Sequence, residues 1–185
     1  MLKNSAFPPC LPQRAKAVPA GPDWIHEIKH DGYRLIVQRE GKRVRLFTKN
    51  GHDFTGRYPL IMESALRIRA DHFVLDGEAV LLGVDGISDF DGLHSRQHDD
   101  EVQLYAFDIL ALDGDDVRKL PLHLRKNNLA RLLARRIDGI FLSPFEQGEI
   151  GPDLFRHACS SALKAWFPST ASGPIALARR RIGSR

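Results

Sequence analysis

The segment HEIKHDGYRL, residues 26–35, places a lysine, an aspartate, a glycine and an arginine close together. Lys29 follows a short apolar run that predicts a strand, Asp31 and Gly32 form a turn, and Arg34 begins the next strand. Lysines are mostly exposed, so a lysine among apolar strand residues needs a reason. A desolvated lysine amine is a competent nucleophile. A surface lysine beside an Asp-Gly turn fits the same residues, and this segment alone leaves both interpretations open.

Two later segments add acidic and aromatic side chains. In FVLDGEAVLL, Asp76 and Glu78 flank Gly77 on a predicted strand, so both carboxylates face one side. Acids within an apolar strand pair with a base or hold a metal ion and hydroxyl groups. An edge strand with one wet face is the alternative. In LYAFDIL, Phe107 precedes Asp108 and is either a core residue or a platform on which a flat ring stacks.

The elements that must position these residues follow from the apolar periodicity. Alternating and β-rich runs predict strands, and a Gly-Lys turn joins two of them in a hairpin. Apolar residues at helical spacing predict helices. We predict strands at 24–29, 33–40, 43–49, 72–83, 102–114 and 139–145, and helices at 59–70, 121–136 and from 151 onward. Short connections between successive strands predict an α+β fold with largely antiparallel sheets.

Composition restricts the class of protein. The chain has 185 residues, 43% hydrophobic residues and a net charge of +4, values typical of a globular protein and compatible with a nucleic-acid partner. The Pro-rich start has no signal-peptide pattern, and no apolar run is long enough to span a bilayer. Cys10 and Cys159 form no recognisable motif, so we expect a cytoplasmic protein without disulfides or a zinc site.

Three histidines and two basic clusters lie near these segments. The spacing of His26, His30 and His52 fits no common metal-ligand set, so we expect them to support the site or to lie at the surface. The clusters KRVR and ARR fit solvated faces that assist phosphate binding rather than specific DNA contacts.

Taken together, four segments resemble the motifs of the adenylation domain of ATP-dependent DNA ligases, in the order in which that family has them. KHDGYR resembles the nucleotidyl-transfer motif Lys-x-Asp-Gly-x-Arg. LFTKNGHDFT resembles the Ser-Arg-x-Gly motif, with Thr48 and Lys49 replacing the usual Ser and Arg. LDGEAV and YAFDIL resemble the Asp-Gly-Glu motif and the motif of the adenine-stacking aromatic. The likeness covers roughly residues 7–160 and is strongest to bacterial ligases of the end-joining type.

The resemblance implies a catalytic lysine, Lys29, which would attack the α-phosphate of ATP to form a lysyl-AMP phosphoramidate. AMP would then pass to the 5′-phosphate of nicked double-stranded DNA, and a 3′-hydroxyl would displace it. It also implies a divalent cation, Mg²⁺ or another, that bridges the phosphates. DNA repair and recombination would be the setting, with end-joining repair proteins as further partners.

The nucleotide-binding side chains follow from the same resemblance. Glu27 would lie against adenine, and Phe107 would stack on it. Arg34 and Lys49 would lie near the ribose and phosphates, and Glu78 would contact the ribose or hold the metal ion. The resemblance assigns supporting positions to Asp31, Gly32, Asp76 and Gly77. A lysine at position 49 cannot make the bidentate contact of an arginine.

The implied fold is a nucleotidyltransferase (ATP-grasp-like) fold, α+β, with largely antiparallel sheets flanked by helices and incomplete at the C-terminus. We predict a Pro-rich lead-in at 1–23, a partial adenylation domain at 24–160 and a disordered tail at 161–185, without the OB-fold domain of the family.

The tail, SALKAWFPSTASGPIALARRRIGSR, has no strand or helix period. The family has a Glu-Gly-Leu-Val-Ser-Lys type strand there and an Asp-Trp-Ile-Lys motif later. Synonymous codons for residues 163–169, read in the other frame one base earlier, encode Glu-Gly-Leu-Val-Ser-Lys. Codons for the last residues similarly encode Asp-Trp-Ile-Lys. We therefore predict a frameshift near Ser160 or Ser161. A disordered linker and a basic nucleic-acid arm are the alternatives.

Three functions follow. The first is an ATP-dependent DNA ligase by family, with little or no sealing activity in this truncated chain. The second is a catalytically dead remnant that binds nucleotide or DNA. The third is an RNA ligase or capping-type nucleotidyltransferase, which would share the chemistry of Lys29.

Overall fold

The computed structural model describes residues 7, 13–15, 22, 24–135, 137–147, 166–170 and 176–178. The chain divides into two compact units. The first unit comprises residues 1–9 and 31–143, and the second unit comprises residues 10–30 and 144–185.

The described elements follow the chain order. The strands are β1 (Gln13–Ala15), β2 (Trp24–Ile28), β3 (Tyr33–Glu40), β4 (Arg43–Thr48), β5 (His72–Val80), β6 (Gln103–Leu112), β7 (Asp115–Asp116), β8 (Ile140–Leu142), β9 (Phe145–Gln147), β10 (Trp166–Thr170) and β11 (Ala176–Ala178). The helices are α1 (Pro59–Arg67), α2 (Phe90–Ser95) and α3 (Leu122–Leu132).

The first unit is built on one sheet with the strand order β4-β3-β5-β6-β7, and β8 pairs with β6. All of these pairings are antiparallel except the parallel one between β6 and β8. The β3–β4 hairpin turns at Gly41, whose φ of +59° lies in the left-handed region that glycine adopts without strain. The sheet therefore has the largely antiparallel character that the sequence predicts.

Alternation along the strands gives this sheet two different faces. The core face carries Leu35 and Val37 from β3 and Leu75 and Ala79 from β5, all 0% exposed. Helix α1 contributes Ile61 to the same cluster. At about 25 cal/mol per Å² of apolar surface, burial of these aliphatic side chains is the main force that holds the sheet to its helices.

The opposite face of the same sheet, which we call the second face, is apolar over part of its area. There Phe7 packs in a cluster with Ile36, Phe47, Val74, Leu110 and Ala111. Phe7 is 5% exposed, so this residue of the N-terminal segment belongs to the core of the first unit. Charged and aromatic side chains also lie on the second face.

The second unit has a sheet with the strand order β1-β11-β10-β2-β9. Strand β2 lies between β10 and β9 and is antiparallel to both. Strand β1 runs parallel to β11. Ile25, His26 and Glu27 are successive buried residues of β2, so both faces of this strand are covered.

Most predicted elements are confirmed, with local differences. The predicted strand at 139–145 is wrong as a single element, because it is two strands, β8 and β9, separated at Ser143 and Pro144. Proline lacks an N–H donor and restricts the residue before it, which explains the interruption. The Pro-rich lead-in contains strand β1, which the sequence analysis did not predict. The helix predicted from residue 151 lies outside the described residues.

Eight residues of the tail for which disorder was predicted lie in strands. Residues 166–170 form β10 and pair with β2, and residues 176–178 form β11 between β10 and β1. Backbone hydrogen bonding supplies the physical reason, because N–H and C=O groups of any sequence can extend a sheet along an open strand edge. Pro168 nevertheless lies opposite His26 within β10, where it provides no N–H to the ladder.

Candidate functional site

A lateral row of side chains crosses the second face of the first unit. The register pairs Arg34 of β3 with Glu78 of β5, Glu78 with Tyr105 of β6, and Tyr105 with Phe141 of β8. Directly paired residues share a face and lie close enough for their side chains to interact. The rings of Tyr105 and Phe141 are 5.7 Å apart and inclined by 32°. The row thus passes from a cation through a carboxylate to two aromatic rings.

Asp76 lies one row away and holds the guanidinium of Arg34 in place. It is two residues from Glu78 on β5 and shares its face, and it is 2% exposed. Arg34 donates from Nε to Oδ1 at 2.9 Å and from Nη2 to Oδ2 at 2.7 Å. Such a bidentate pair is both short and geometrically specific. Burial raises the pKa of Asp76, and the bonds and positive charge of Arg34 oppose that rise.

Phe107 approaches Arg34 because β6 is bulged at that position. Asp76 pairs with Asp108 and Gly77 pairs with Ala106, so Phe107 is an extra residue with no partner on β5. A bulge of this kind redirects the side chain that it carries. The guanidinium carbon of Arg34 lies 5.1 Å from the centre of the Phe107 ring. The guanidinium of Arg34 thus lies over one face of the Phe107 ring.

Two glycines allow the close approach of backbone around this row. A Cβ atom at Gly32 would overlap the carbonyl oxygen of Ala79. A Cβ atom at Gly77 would come within 2.8 Å of the carbonyl oxygen of Tyr105. Side chains are excluded at both positions because the obstacle is backbone, which cannot rotate away. The turn that follows Asp31 is thereby held against β5.

Lys49 is exposed and follows the end of β4. The last pair of the β3–β4 ladder is Leu35 with Thr48, so Lys49 stands one step beyond it, level with Arg34. The loop turns back at once, because Gly51 N–H donates to the Thr48 carbonyl at 2.8 Å and His52 N–H donates to the Thr48 hydroxyl at 3.1 Å. This compact loop fixes where the Lys49 backbone leaves the sheet.

The other two predicted residues belong to the second unit. Glu27 is 8% exposed within β2, and Lys29 follows the strand by one residue and is half-buried. The Lys29 ammonium donates to the carbonyl oxygen of His30 at 3.3 Å. Burial, and secondly the charge of Lys29, lower the pKa of His30, which favours its neutral form. His26 is 0% exposed, so it is not a surface residue.

The first unit thus brings together Arg34, Asp76, Glu78 and Phe107, whereas Glu27 and Lys29 belong to the second unit. Sequence reasoning missed Tyr105 and Phe141. Tyr105 lies two residues before Phe107, so strand alternation could have placed both side chains on the same face. Phe141 could not be found in this way, because its pairing with Tyr105 is parallel and joins distant segments. Within the described residues, no group of three or more His, Cys, Asp or Glu side chains could hold a metal ion by itself.

Comparison with known proteins identifies the family of domains to which this arrangement is similar. The family model described as "ATP dependent DNA ligase domain" matches residues 9–146. That range includes β2 and every residue of the lateral row on the second face. None of the helices in the described part of the chain is long and apolar enough to cross a membrane.

Relatives and solved structures agree with that match. The multifunctional non-homologous end joining protein LigD of Pseudomonas aeruginosa is 32% identical over 158 residues, which cover 83% of this chain and 19% of the relative. The ligase domain of Mycobacterium tuberculosis LigD superposes with a TM-score of 0.73 at 28% identity, over 92% of this chain and 58% of that one. A mycobacterial DNA ligase D complexed with ATP gives 0.74 at 25% identity, over 92% and 60%. The chain thus spans less than a quarter of that curated relative and about three fifths of the solved chains.

Proposed function

The chain belongs to the ATP-dependent DNA ligase domain family, and from that membership we propose that its reaction is the transfer of AMP from ATP to a lysine and then to DNA. The acceptor is the 5′-phosphate of nicked double-stranded DNA. The observation that carries the proposal is the row on the second face, where a cation, a carboxylate and aromatic rings lie side by side as a nucleotide requires.

Lys29 is the nucleophile. Its Nζ first gives one proton to water and becomes the neutral amine, which attacks the α-phosphorus of ATP. The bond from that phosphorus to the bridging oxygen breaks, pyrophosphate leaves, and Nζ loses a second proton to water. The product is a phosphoramidate between Lys29 and AMP. Phosphoryl transfer of this type depends on positioning and on neutralisation of charge rather than on acid–base chemistry. Lys29 lies just after β2, so the strand fixes where its backbone leaves the sheet of the second unit.

The first unit supplies the nucleotide contacts. Arg34, held by Asp76, places a positive charge near the ribose or phosphates, and Lys49 contributes a second positive charge at the end of β4. Phe107 stacks on adenine. The resemblance to the ligase family assigns an adenine contact to Glu27 as well.

Glu78 would hold a divalent cation or the ribose hydroxyls. Mg²⁺ is commonly bound by one or two carboxylates together with substrate phosphates, so a single glutamate fits that donor set. Asp76 already binds Arg34 through both oxygens, so this role is assigned to Glu78. The cation would neutralise charge on the phosphates.

The frameshift near Ser160 or Ser161 forms part of the proposal. The shifted reading places a Leu-Val-Ser-Lys run over the codons of β10, and it would replace Pro168, which adds no N–H to the ladder. The lysines of the shifted reading would neutralise charge at the α-phosphate. Loss of preorganised charge of this kind costs about 10²–10³ in rate per group. We therefore expect weak adenylation and no sealing by the chain as translated.

The second candidate function is that of a remnant that binds nucleotide without reacting. Pro168 favours it, because the strand that would carry the missing lysines has a proline that adds no N–H to the ladder.

Labelling with α-³²P-ATP and Mg²⁺ tests the proposal. The chain and a version with one base restored near the Ser161 codon are compared, each also as Lys29→Ala and, as a matched control, Lys42→Ala. We expect an acid-labile adduct that is strong in the restored version, weak in the chain, absent in both Lys29→Ala variants and unchanged by Lys42→Ala. Label that survives Lys29→Ala, or no label in the restored version, would contradict the assignment. Equal labelling of both versions would contradict the frameshift.

A further inference from the structure

Two buried carboxylates face each other on the second face of the first unit. Asp76 of β5 is directly paired with Asp108 of β6, and the two residues are 2% and 8% exposed. Like charges placed directly opposite on neighbouring strands repel each other, and burial strengthens that repulsion. This part of the sheet therefore needs compensating positive charge on both sides.

Each carboxylate has its own arginine. Arg34 pairs with Asp76 as described above. Arg125 of α3 donates from Nε to Oδ1 of Asp108 at 2.9 Å and from Nη2 to Oδ2 at 3.0 Å. Its Nη1 donates to the carbonyl oxygen of Leu120 at 2.6 Å, which anchors the guanidinium to the backbone before α3. The four groups form two neutral bidentate pairs that lie next to each other.

We propose that Arg125 is a positioning residue of the nucleotide pocket, acting through Asp108 and Asp76 on Arg34. While Arg125 neutralises Asp108, Asp76 is the carboxylate that engages Arg34, and the guanidinium stays over the Phe107 ring. Without Arg125, the charge of Asp108 attracts Arg34 as well. The guanidinium is then shared between two carboxylates and leaves its place on Phe107. The functional meaning of this role depends on the proposed contact between Arg34 and the nucleotide.

The electrostatics of Asp76 agree with this coupling. Burial raises its pKa, Arg34 lowers it, and the negative charge of Asp108 raises it. Asp108 also accepts a hydrogen bond from the Ile109 N–H at 2.9 Å, which keeps its Oδ1 near the backbone of β6. Asp108 therefore cannot turn away from Asp76 without the loss of that bond.

The Arg34 side chain reports the effect directly. In ¹⁵N-arginine-labelled chain, the Nε–Hε signal of Arg34 is assigned by its loss in Arg34→Lys. We expect Arg125→Gln to shift that signal and to speed its hydrogen exchange about tenfold, the factor that corresponds to roughly 1.4 kcal/mol. The double variant Arg125→Gln/Asp108→Asn removes both charges and should return the Arg34 signal to its parent position. Arg118→Gln, which removes a cation from the exposed pair with Asp116, should leave it unchanged.

The outcomes separate this role from a purely structural one. An unchanged Arg34 signal in Arg125→Gln would overturn the proposal. If Arg125→Gln does not fold, the double variant Arg125→Gln/Asp108→Asn is the test. An Arg34 signal displaced from its parent position in that double variant would overturn the proposal. These measurements need no ATP, so they stand whether or not Lys29 is labelled. Where ATP titration detects binding, we expect affinity to follow the Arg34 signal through the series and to recover in the double variant.

Discussion

Replacement of Arg34 by Met should destabilise the first unit strongly at neutral pH and much less in acid. The substitution keeps the aliphatic stem but leaves the Asp76 carboxylate buried without its bidentate partner. The side chain of Asp76 is 3% exposed and that of Arg34 is 15% exposed, so water does not compensate. Removal of one partner from a buried ion pair typically costs about 3–5 kcal/mol.

The pH dependence follows from the direction of the Asp76 pKa shift. Burial raises that pKa in the folded chain above its unfolded value, so Asp76 contributes stability that is present in acid and is lost as the pH rises through the folded pKa. Arg34 opposes the rise. In Arg34→Met the folded-state pKa of Asp76 rises further. The extra loss of stability therefore appears as the pH increases above the folded-state pKa that Asp76 has in the unmutated chain. We expect about 3–5 kcal/mol at pH 8 and a smaller cost at pH 4.5.

Urea unfolding followed by circular dichroism at the two pH values measures the cost. Arg45→Met is the matched control, because Arg45 pairs with Asp53 through a single 2.6 Å bond between side chains that are 37% and 42% exposed. That pair should contribute about 0–1 kcal/mol. A cost of Arg34→Met as small as that of Arg45→Met at pH 8, or one that does not shrink in acid, would refute the reasoning.

The remaining predictions concern packing in the first unit. Gly32→Ala should lower the free energy of unfolding by about 1–3 kcal/mol because its methyl group meets the Ala79 carbonyl, whereas Gly56→Ala, with no atom within 4 Å, should not destabilise the chain in the same urea assay; equal effects would contradict this. Tyr58→Phe should raise the unfolding free energy by about 1 kcal/mol, because the Tyr58 hydroxyl is buried and has no hydrogen-bond partner among the described residues. A loss of stability in Tyr58→Phe would indicate a partner for that hydroxyl.

Local sequence signals were sufficient for most of the first unit. Alternation and the Gly-Lys turn predicted the β3–β4 hairpin, and the spacing of Asp76 and Glu78 predicted their shared face. These features depend on neighbours along the chain, where a period of two determines the face. The nucleotide-binding roles of these residues remain predictions.

Features that depend on pairing between distant segments could not be predicted in this way. Nothing in YAFDIL distinguishes a regular strand from one bulged at Phe107, because the bulge is a mismatch between β5 and β6. The pair between Arg125 and Asp108 joins α3 to β6 and has no periodic signal. Strand β10 was missed because its pairing with β2 is a property of the backbone, which the side-chain pattern of the tail does not report.

The bulges in β6 have a consequence for how this chain tolerates changes in length. Phe107 and Leu110 are each skipped by the ladder with β5, so deletion of either would leave the flanking pairs in register. Either deletion would make β6 more regular. Deletion of Phe107 removes the ring beside Arg34, and deletion of Leu110 removes a side chain that packs in the cluster with Phe7. Single-residue deletions, which normally invert every face beyond the cut, would here remove a side chain and conserve the faces. Strand β6 can therefore lose Phe107 by deletion while the sheet still assembles.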